Sequence, residues 1–286
     1  MGAARPTFER RQLGLTLRRL RDRAAKPQQA VADLLEKTRT RIVQLEDGTA
    51  NISQEDLDKL LDFLDVTGDE RETVIELANH ARKRQKRRVY VDQLPDAYQR
   101  WADLEASATE INCFETGLIP GLLQTEGYMR AVLSECEVFW EPSVTEGSDR
   151  LAYRLERQQR MLDAPDGRLL RFVINEDALR ANMGSRAVMR DQLQHLLELT
   201  KAHRDLTVRV LPNDAYGNPL RGYNIWFFGF GERGTPVCYS SSVPGPSAYY
   251  DGEADTARLL RAFYRVWEIS LSRTASRRFI DDLLKE

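Results

Sequence analysis

Along the first third of the chain, apolar residues recur at helical spacing. In "FERRQLGLTLRRLRDRA", residues 8–24, Phe8, Leu13, Leu17 and Leu20 fall at helical intervals with arginines between them, which predicts an amphipathic helix with a basic outer face. "KPQQAVADLLE" follows, with Pro27 suited to a first helical turn and Ala30, Val31, Leu34 and Leu35 turned inward. "KTRTRIVQLEDG" opens on Thr38 as an N-cap and closes at Gly48, a residue suited to a left-handed cap. "NISQEDLDKLLDFL", residues 51–64, starts on Ser53 and carries Leu57, Leu60, Leu61 and Leu64 as one stripe. A further helix from about Asp69 ends in the basic run 82–88, which suits either phosphates or a solvated helix end.

After Pro95 the pattern changes. Helical periodicity appears near 96–106, 125–135, 145–163 and 186–203, and again from Glu253 onward. Between these lie short runs rich in β-formers: "EINCFET", "LLRFVIN", "LTVRVLP", "YNIWFFGF" and "PVCYSS". The expectation is a mainly α bundle over residues 1–68, a helix and basic linker over 69–95, and an α+β domain with a small antiparallel sheet over 96–286. No run of apolar residues approaches the roughly 18 needed to cross a bilayer, and nothing at the N-terminus has the form of an export signal, so a cytoplasmic protein without membrane partners is expected.

Charge sharpens the division. Residues 1–48 hold 11 Lys and Arg against 6 Asp and Glu, a net +5, whereas residues 89–286 hold 23 against 29, a net −6. The basic end is the candidate for nucleic acid. If Thr38 caps its helix, Ile42 and Leu45 share the inner face, leaving Thr40, Val43 and Gln44 on the opposite face with Arg39 and Arg41 at its flanks. Such side chains can meet base edges, since Arg pairs with guanine and Gln with adenine. The same row would also serve as an ordinary solvated face.

These residues carry a resemblance. "QQAVADLLEKTRTRIVQLEDG" is similar to the helix-turn-helix of the Xre class of regulators, over residues 10–64. The resemblance implies that Gln28 holds a backbone phosphate, that Arg39, Thr40 and Gln44 read bases, and that Arg21 pairs with Glu46. Two positions depart from the pattern: Glu36 stands where the turn usually has Gly, and Lys37 where a small apolar residue is common. Further on, "GLIPGLLQTEGYMRAV" with "RLERQ", "VMRDQLQHLLEL", "VRVLP" and the Gly222 loop resembles the C-terminal domain of unknown function found behind Xre-type domains in actinobacterial, antitoxin-like regulators. That resemblance implies a regulator often paired with a small partner protein encoded nearby. "YSSS" at 239–242 departs from it, standing where a carboxylate usually follows the Tyr.

Catalytic chemistry finds little support. The three histidines, His80, His195 and His203, show no HExxH spacing, and "GFGERG" at 229–234 reads as a hairpin loop, not a phosphate cradle. Cys113, Cys136 and Cys238 form no CxxC pair and read as buried thiols, so neither metal nor cofactor is expected. Candidates for a ligand or partner surface are Leu122, Gln124 and Tyr128 in the GLLQT stretch, Arg154 and Arg157 in a row begun by Arg150, and the aromatics Trp226, Phe228 and Tyr239. Alternating aromatics equally make the inner face of a sheet.

Together these readings describe a DNA-binding transcriptional regulator, a homodimer on an inverted-repeat operator of double-stranded DNA, whose second half senses a small partner protein or ligand. The alternatives are an antitoxin-like protein that mainly sequesters its partner, and a repressor gated by a small molecule.

Overall fold

A computed structural model describes residues 7–82, 90–92, 97–135, 147–162, 167–231, 234–240 and 247–286. Contacts divide the chain into two compact units that interleave along the sequence. The first comprises Met1–Ser107, Gly229–Val237 and Pro246–Thr256; the second comprises Ala108–Phe228, Cys238–Gly245 and Ala257–Glu286.

The first unit contains α1 (Phe8–Arg23), α2 (Gln28–Leu34), α3 (Arg39–Glu46), α4 (Gln54–Phe63), α5 (Gly68–Arg82) and α6 (Ala97–Ser107). It also holds the antiparallel pair β1 (Tyr90–Asp92) and β7 (Ser247–Tyr250), with Tyr90 opposite Tyr249. The leucine stripes of the sequence meet in one core: Leu13, Leu17 and Leu20 of α1 join Val31, Ala32, Ile42, Leu45, Leu57, Leu60, Leu61 and Leu77. Leu20, Leu57 and Leu61 have no exposed surface, and each such side chain stabilises the fold by roughly 1.5–3 kcal/mol before entropy is counted. Thr7, Thr38 and Ser53 cap α1, α3 and α4, each accepting from a backbone N–H three residues on.

The ends of the first four helices share one device. Lys26 N–H donates to Arg21 C=O, Lys37 to Ala32, Thr49 to Gln44 and Val66 to Leu61, the six-to-one bond that closes a helix. The residue before each donor is left-handed: Ala25 (φ 52°), Glu36 (φ 55°), Gly48 (φ 73°) and Asp65 (φ 53°). Glu36 therefore occupies a conformation that glycine adopts at less cost.

The second unit is built on β2 (Glu110–Glu115), β3 (Leu169–Asn175), β4 (Leu206–Leu211), β5 (Ile225–Gly229) and β6 (Val237–Ser240), in the order β6-β5-β2-β3-β4. Its helices are α7 (Glu126–Glu135), α8 (Gly147–Leu162), α9 (Glu176–Arg180), α10 (Arg186–Ala202), α11 (Glu253–Ile269) from Ala257 onward, and α12 (Arg273–Leu283). The α+β class is as expected, but the sheet is mixed where an antiparallel one was foreseen. β2, β3 and β4 run parallel, with Cys113 opposite Phe172 and Phe172 opposite Val208. Parallel neighbours need long crossovers, and α7 with α8, then α9 with α10, supply them. Val173 and Phe114 pack with Phe263 and Val266 of α11, so strand β3 has apolar partners beyond the sheet, and its sequence is apolar apart from Arg171 and the terminal Asn175.

Candidate nucleic-acid interface

α3 is presented by its neighbours. Ile42, Leu45 and Glu46 are buried, whereas Thr38, Arg39, Thr40, Arg41 and Gln44 are exposed. The Thr38 hydroxyl accepts from the Arg41 N–H at 3.2 Å, which fixes where the helix begins. Arg41 reaches the Asn51 carbonyl at 3.3 Å. Lys37 stands exposed just before the cap, and Val43 is half-buried. The outer face is thus short, polar and cationic, with hydroxyl and amide groups between guanidiniums.

Behind it lies a buried polar cluster. Arg21 of α1 grips Glu46 with two parallel bonds, Nε to Oε1 at 2.5 Å and Nη2 to Oε2 at 3.1 Å. That pairing raises the Arg21 pKa above its ordinary value, the bond to Glu46 being the largest cause and burial opposing it. Gln28, half-buried at the start of α2, donates through Nε2 to Glu46 Oε2 at 2.8 Å. The far end of α3 is therefore tied to α1 and α2 through one carboxylate.

The expected basic outer face of α1 is not what packing produces. Arg11 is buried, with its guanidinium 3.8 Å from the Phe230 ring centre. Arg19 pairs with Asp103 at 2.9 Å, and Arg23 holds Glu70 bidentately at 2.6 and 2.8 Å. Only Arg18 is left facing outward among the four arginines between residues 18 and 23 without a bond under 3.5 Å; its nearest acid is Asp22 at 3.9 Å. The cations were legible as composition, but their partners are distant in sequence. Of the basic run 82–88, Arg82 binds Gln54 Oε1 at 2.8 Å, and the remaining residues lie outside those described, as does Cys136.

In the second unit the GLLQT stretch is a turn of 3-10 helix, Gly121–Leu123, held by glutamines. Gln124 donates to the Ile119 carbonyl at 2.7 Å, and Gln158 to those of Leu122 and Gln124 at 3.0 and 2.8 Å. Gln192 donates to Leu123 C=O and accepts from Thr125 N–H, both at 2.7 Å. A buried irregular segment must have its backbone groups paired, and these amides do it. Leu122, Gln124 and Tyr128 are all buried here, with Tyr128 Oη accepting from Ile119 N–H at 3.3 Å. Gln158 and Gln192 escaped the sequence reading; the signal was a glutamine at an apolar position of the stripe Met189, Leu193, Leu196.

Arg154 and Arg157 are half-buried and engaged, the latter with Nη2 over Gly121. Trp226 and Phe228 are buried side by side, ring centres 6.3 Å apart, and Tyr239 is half-buried. The Trp226 indole N–H donates to Glu115 Oε1 at 2.6 Å, and burial pushes that carboxyl up to about 7 against the opposing effect of this bond. Cys113 and Cys238 are buried thiols. Among the described residues, no His, Cys, Asp and Glu side chains group to hold a metal, and no helix is long and apolar enough to cross a membrane.

Two family models match. One, described as a helix-turn-helix domain, covers residues 12–74, and with the exposed α3 it points to a DNA-binding regulator instead of an enzyme. No curated protein matches the chain. The other match spans residues 98–282, well over half of the sequence, and by it the chain belongs to the family of the domain of unknown function DUF5753.

Proposed function

We propose that this chain is a sequence-specific transcriptional regulator of the Xre type, with residues 1–68 as its DNA-binding domain, 69–95 as helix and linker, and 96–286 as its regulatory domain. One observation carries the reading: α3 offers Arg39, Thr40, Arg41 and Gln44 outward in a row from a capped end, while its inner residues are buried. Such a helix enters a major groove with its N-terminal residues at the base edges. Arg39, Thr40 and Gln44 read bases; Thr38, Arg41 and Gln28 meet the sugar-phosphate backbone, with Gln28 held ready by Glu46. A single helix touches few base pairs, so a homodimer on an inverted repeat, half-sites one helical turn apart, is the natural arrangement.

The regulatory domain is proposed to receive a small partner protein, encoded nearby, and the protein to act in the cytoplasm where its operator is. The test is binding of the purified chain to its own upstream DNA at two salt concentrations, beside a scrambled duplex of equal length. Preference for the native duplex with affinity falling steeply in salt is the expected result. Equal weak binding to both duplexes would sink the reading.

A further inference from the structure

We propose that α1 is a releasable coupling helix: residues of α6, 229–237 and 246–256 grip one side of it, and the tightness of that grip sets how α3 is held on its other side. The inference rests on the reading of α3 as the DNA-contacting helix, and it adds what governs that helix.

α1 presents three stripes. Leu13, Leu17 and Leu20 enter the helical core. Gly14 and Arg21, seven residues apart, face α3. A Cβ at Gly14 would stand 2.5 Å from the Glu46 carbonyl oxygen, and Arg21 holds the Glu46 side chain. On the third stripe Phe8, Arg11 and Arg19 meet chain that is far away in sequence, and the buried Gln12 and Thr16 lie between them on the helix. Phe8 stacks on Tyr249 with ring centres 4.3 Å apart, and its N–H donates to Asp251 Oδ2 at 2.7 Å. Arg11 lies on the Phe230 ring, and Arg19 pairs with Asp103. All four partners fall within residues 98–282, and all belong to the same compact unit as α1.

The two sides are linked through Arg11. Its backbone lies against Gly48, where α3 ends, since a Cβ on Gly48 would be 2.8 Å from Arg11 Cα and N. Its guanidinium is the group that sits on Phe230. A shift of α1 that moves Arg11 off Phe230 therefore displaces the end of α3.

The third stripe is also the incompletely satisfied one. Gln12 has no exposed surface, yet neither its amide oxygen nor its nitrogen has a hydrogen-bond partner, and the buried Thr16 hydroxyl has none. Burial lowers the Arg11 pKa to about 10, with Asp47 opposing. Buried polar groups without partners favour hydration, so opening this side recovers free energy that opening the leucine core would not. Such a contact is poised between two arrangements, as a coupling element must be.

Two sets of full-length variants test this. Phe230→Ala and Asp251→Ala loosen the grip; Gln12→Leu with Thr16→Val tightens it by replacing unpaired polar groups with apolar ones. Hydrogen exchange of the α3 amides and affinity for the native upstream DNA are measured for each, with far-UV circular dichroism confirming the fold. The expected result is that loosening speeds α3 exchange, tightening slows it, and affinity moves in opposite directions by roughly fivefold or more. Exchange and affinity equal to wild type in both sets overturn the proposal. If the loosened variants fail to fold, the tightened one decides alone: raised thermal stability with unchanged α3 exchange refutes it. If the wild type shows no DNA preference, the regulator reading fails, and α3 exchange still judges the coupling.

Discussion

Gly14→Ala tests the geometry that aims α3. A Cβ at this position would lie 2.5 Å from the Glu46 oxygen, 2.6 Å from that of Leu45 and 2.9 Å from the Glu46 carbonyl carbon. Ordinary contact needs about 3.5 Å between such atoms, so α1 and α3 must part by roughly 1 Å. The obstacle is backbone in the last turn of a helix, which cannot rotate aside as a side chain would. Alanine recovers up to about 1 kcal/mol of helix propensity over glycine, while overpacking of this kind costs about 1–3 kcal/mol. The same displacement stretches the bidentate Arg21–Glu46 pair, whose buried charges lose more when separated. The balance is a net loss of about 1–3 kcal/mol. Urea unfolding measures it, with Gly117→Ala as control, because nothing lies within 4 Å of a Cβ there. A Gly14→Ala protein as stable as wild type, with unchanged DNA affinity, would refute the close approach of α1 to α3.

Further outcomes follow from single contacts. Glu36→Gly relieves a left-handed residue at φ 55° and should stabilise the protein by about 0.5–1 kcal/mol in the same unfolding assay; a loss would contradict the helix closure described. Gln192→Leu keeps the volume but leaves the Leu123 carbonyl and Thr125 N–H without their partner, costing about 2–4 kcal/mol and lowering Tm by several degrees. Glu115 is favoured neutral in the fold, its carboxyl raised from 4.5 to about 7, so its stabilisation is full below about pH 4.5 and is lost as pH rises through 7. Wild type should lose up to about 3 kcal/mol between pH 4.5 and 8, a slope that Glu115→Gln abolishes. Arg39→Ala, at an exposed position, should leave Tm unchanged and cost about 1–3 kcal/mol at the cognate site while relaxing preference at one base pair.

What the sequence displayed and what it concealed divide along physical lines. Caps and left-handed closures are local, so Thr38, Ser53 and Gly48 were readable from a few neighbouring residues. The Arg21–Glu46 pair came with the family resemblance, not with spacing. Strand direction was hidden, because a short apolar run reads alike in parallel and antiparallel sheets; only the crossover helices between β2, β3 and β4 distinguish them. The glutamine cradle was hidden for a related reason, since Gln158 and Gln192 serve backbone groups 34 to 69 residues away.

The arginines of α1 show why charge along a sequence is a weak guide to a binding face. Residues 1–48 carry a net +5, and an even spread of that charge over the surface would suggest that α1 joins α3 in holding DNA. Packing assigns most of it elsewhere. Arg11 is spent on an aromatic ring, Arg19 and Arg23 on carboxylates beyond residue 48, and Arg21 on the carboxylate that orients α3. Lys37, Arg39 and Arg41 remain exposed around the start of α3. Positive charge is thus concentrated where the helix dipole is also positive, at the end of α3 that would approach phosphates. A basic face spread along α1 would hold any duplex equally well. In the proposed reading, cations gathered at one helix start, beside Thr40 and Gln44, would tie phosphate attraction to the one orientation in which bases can be read.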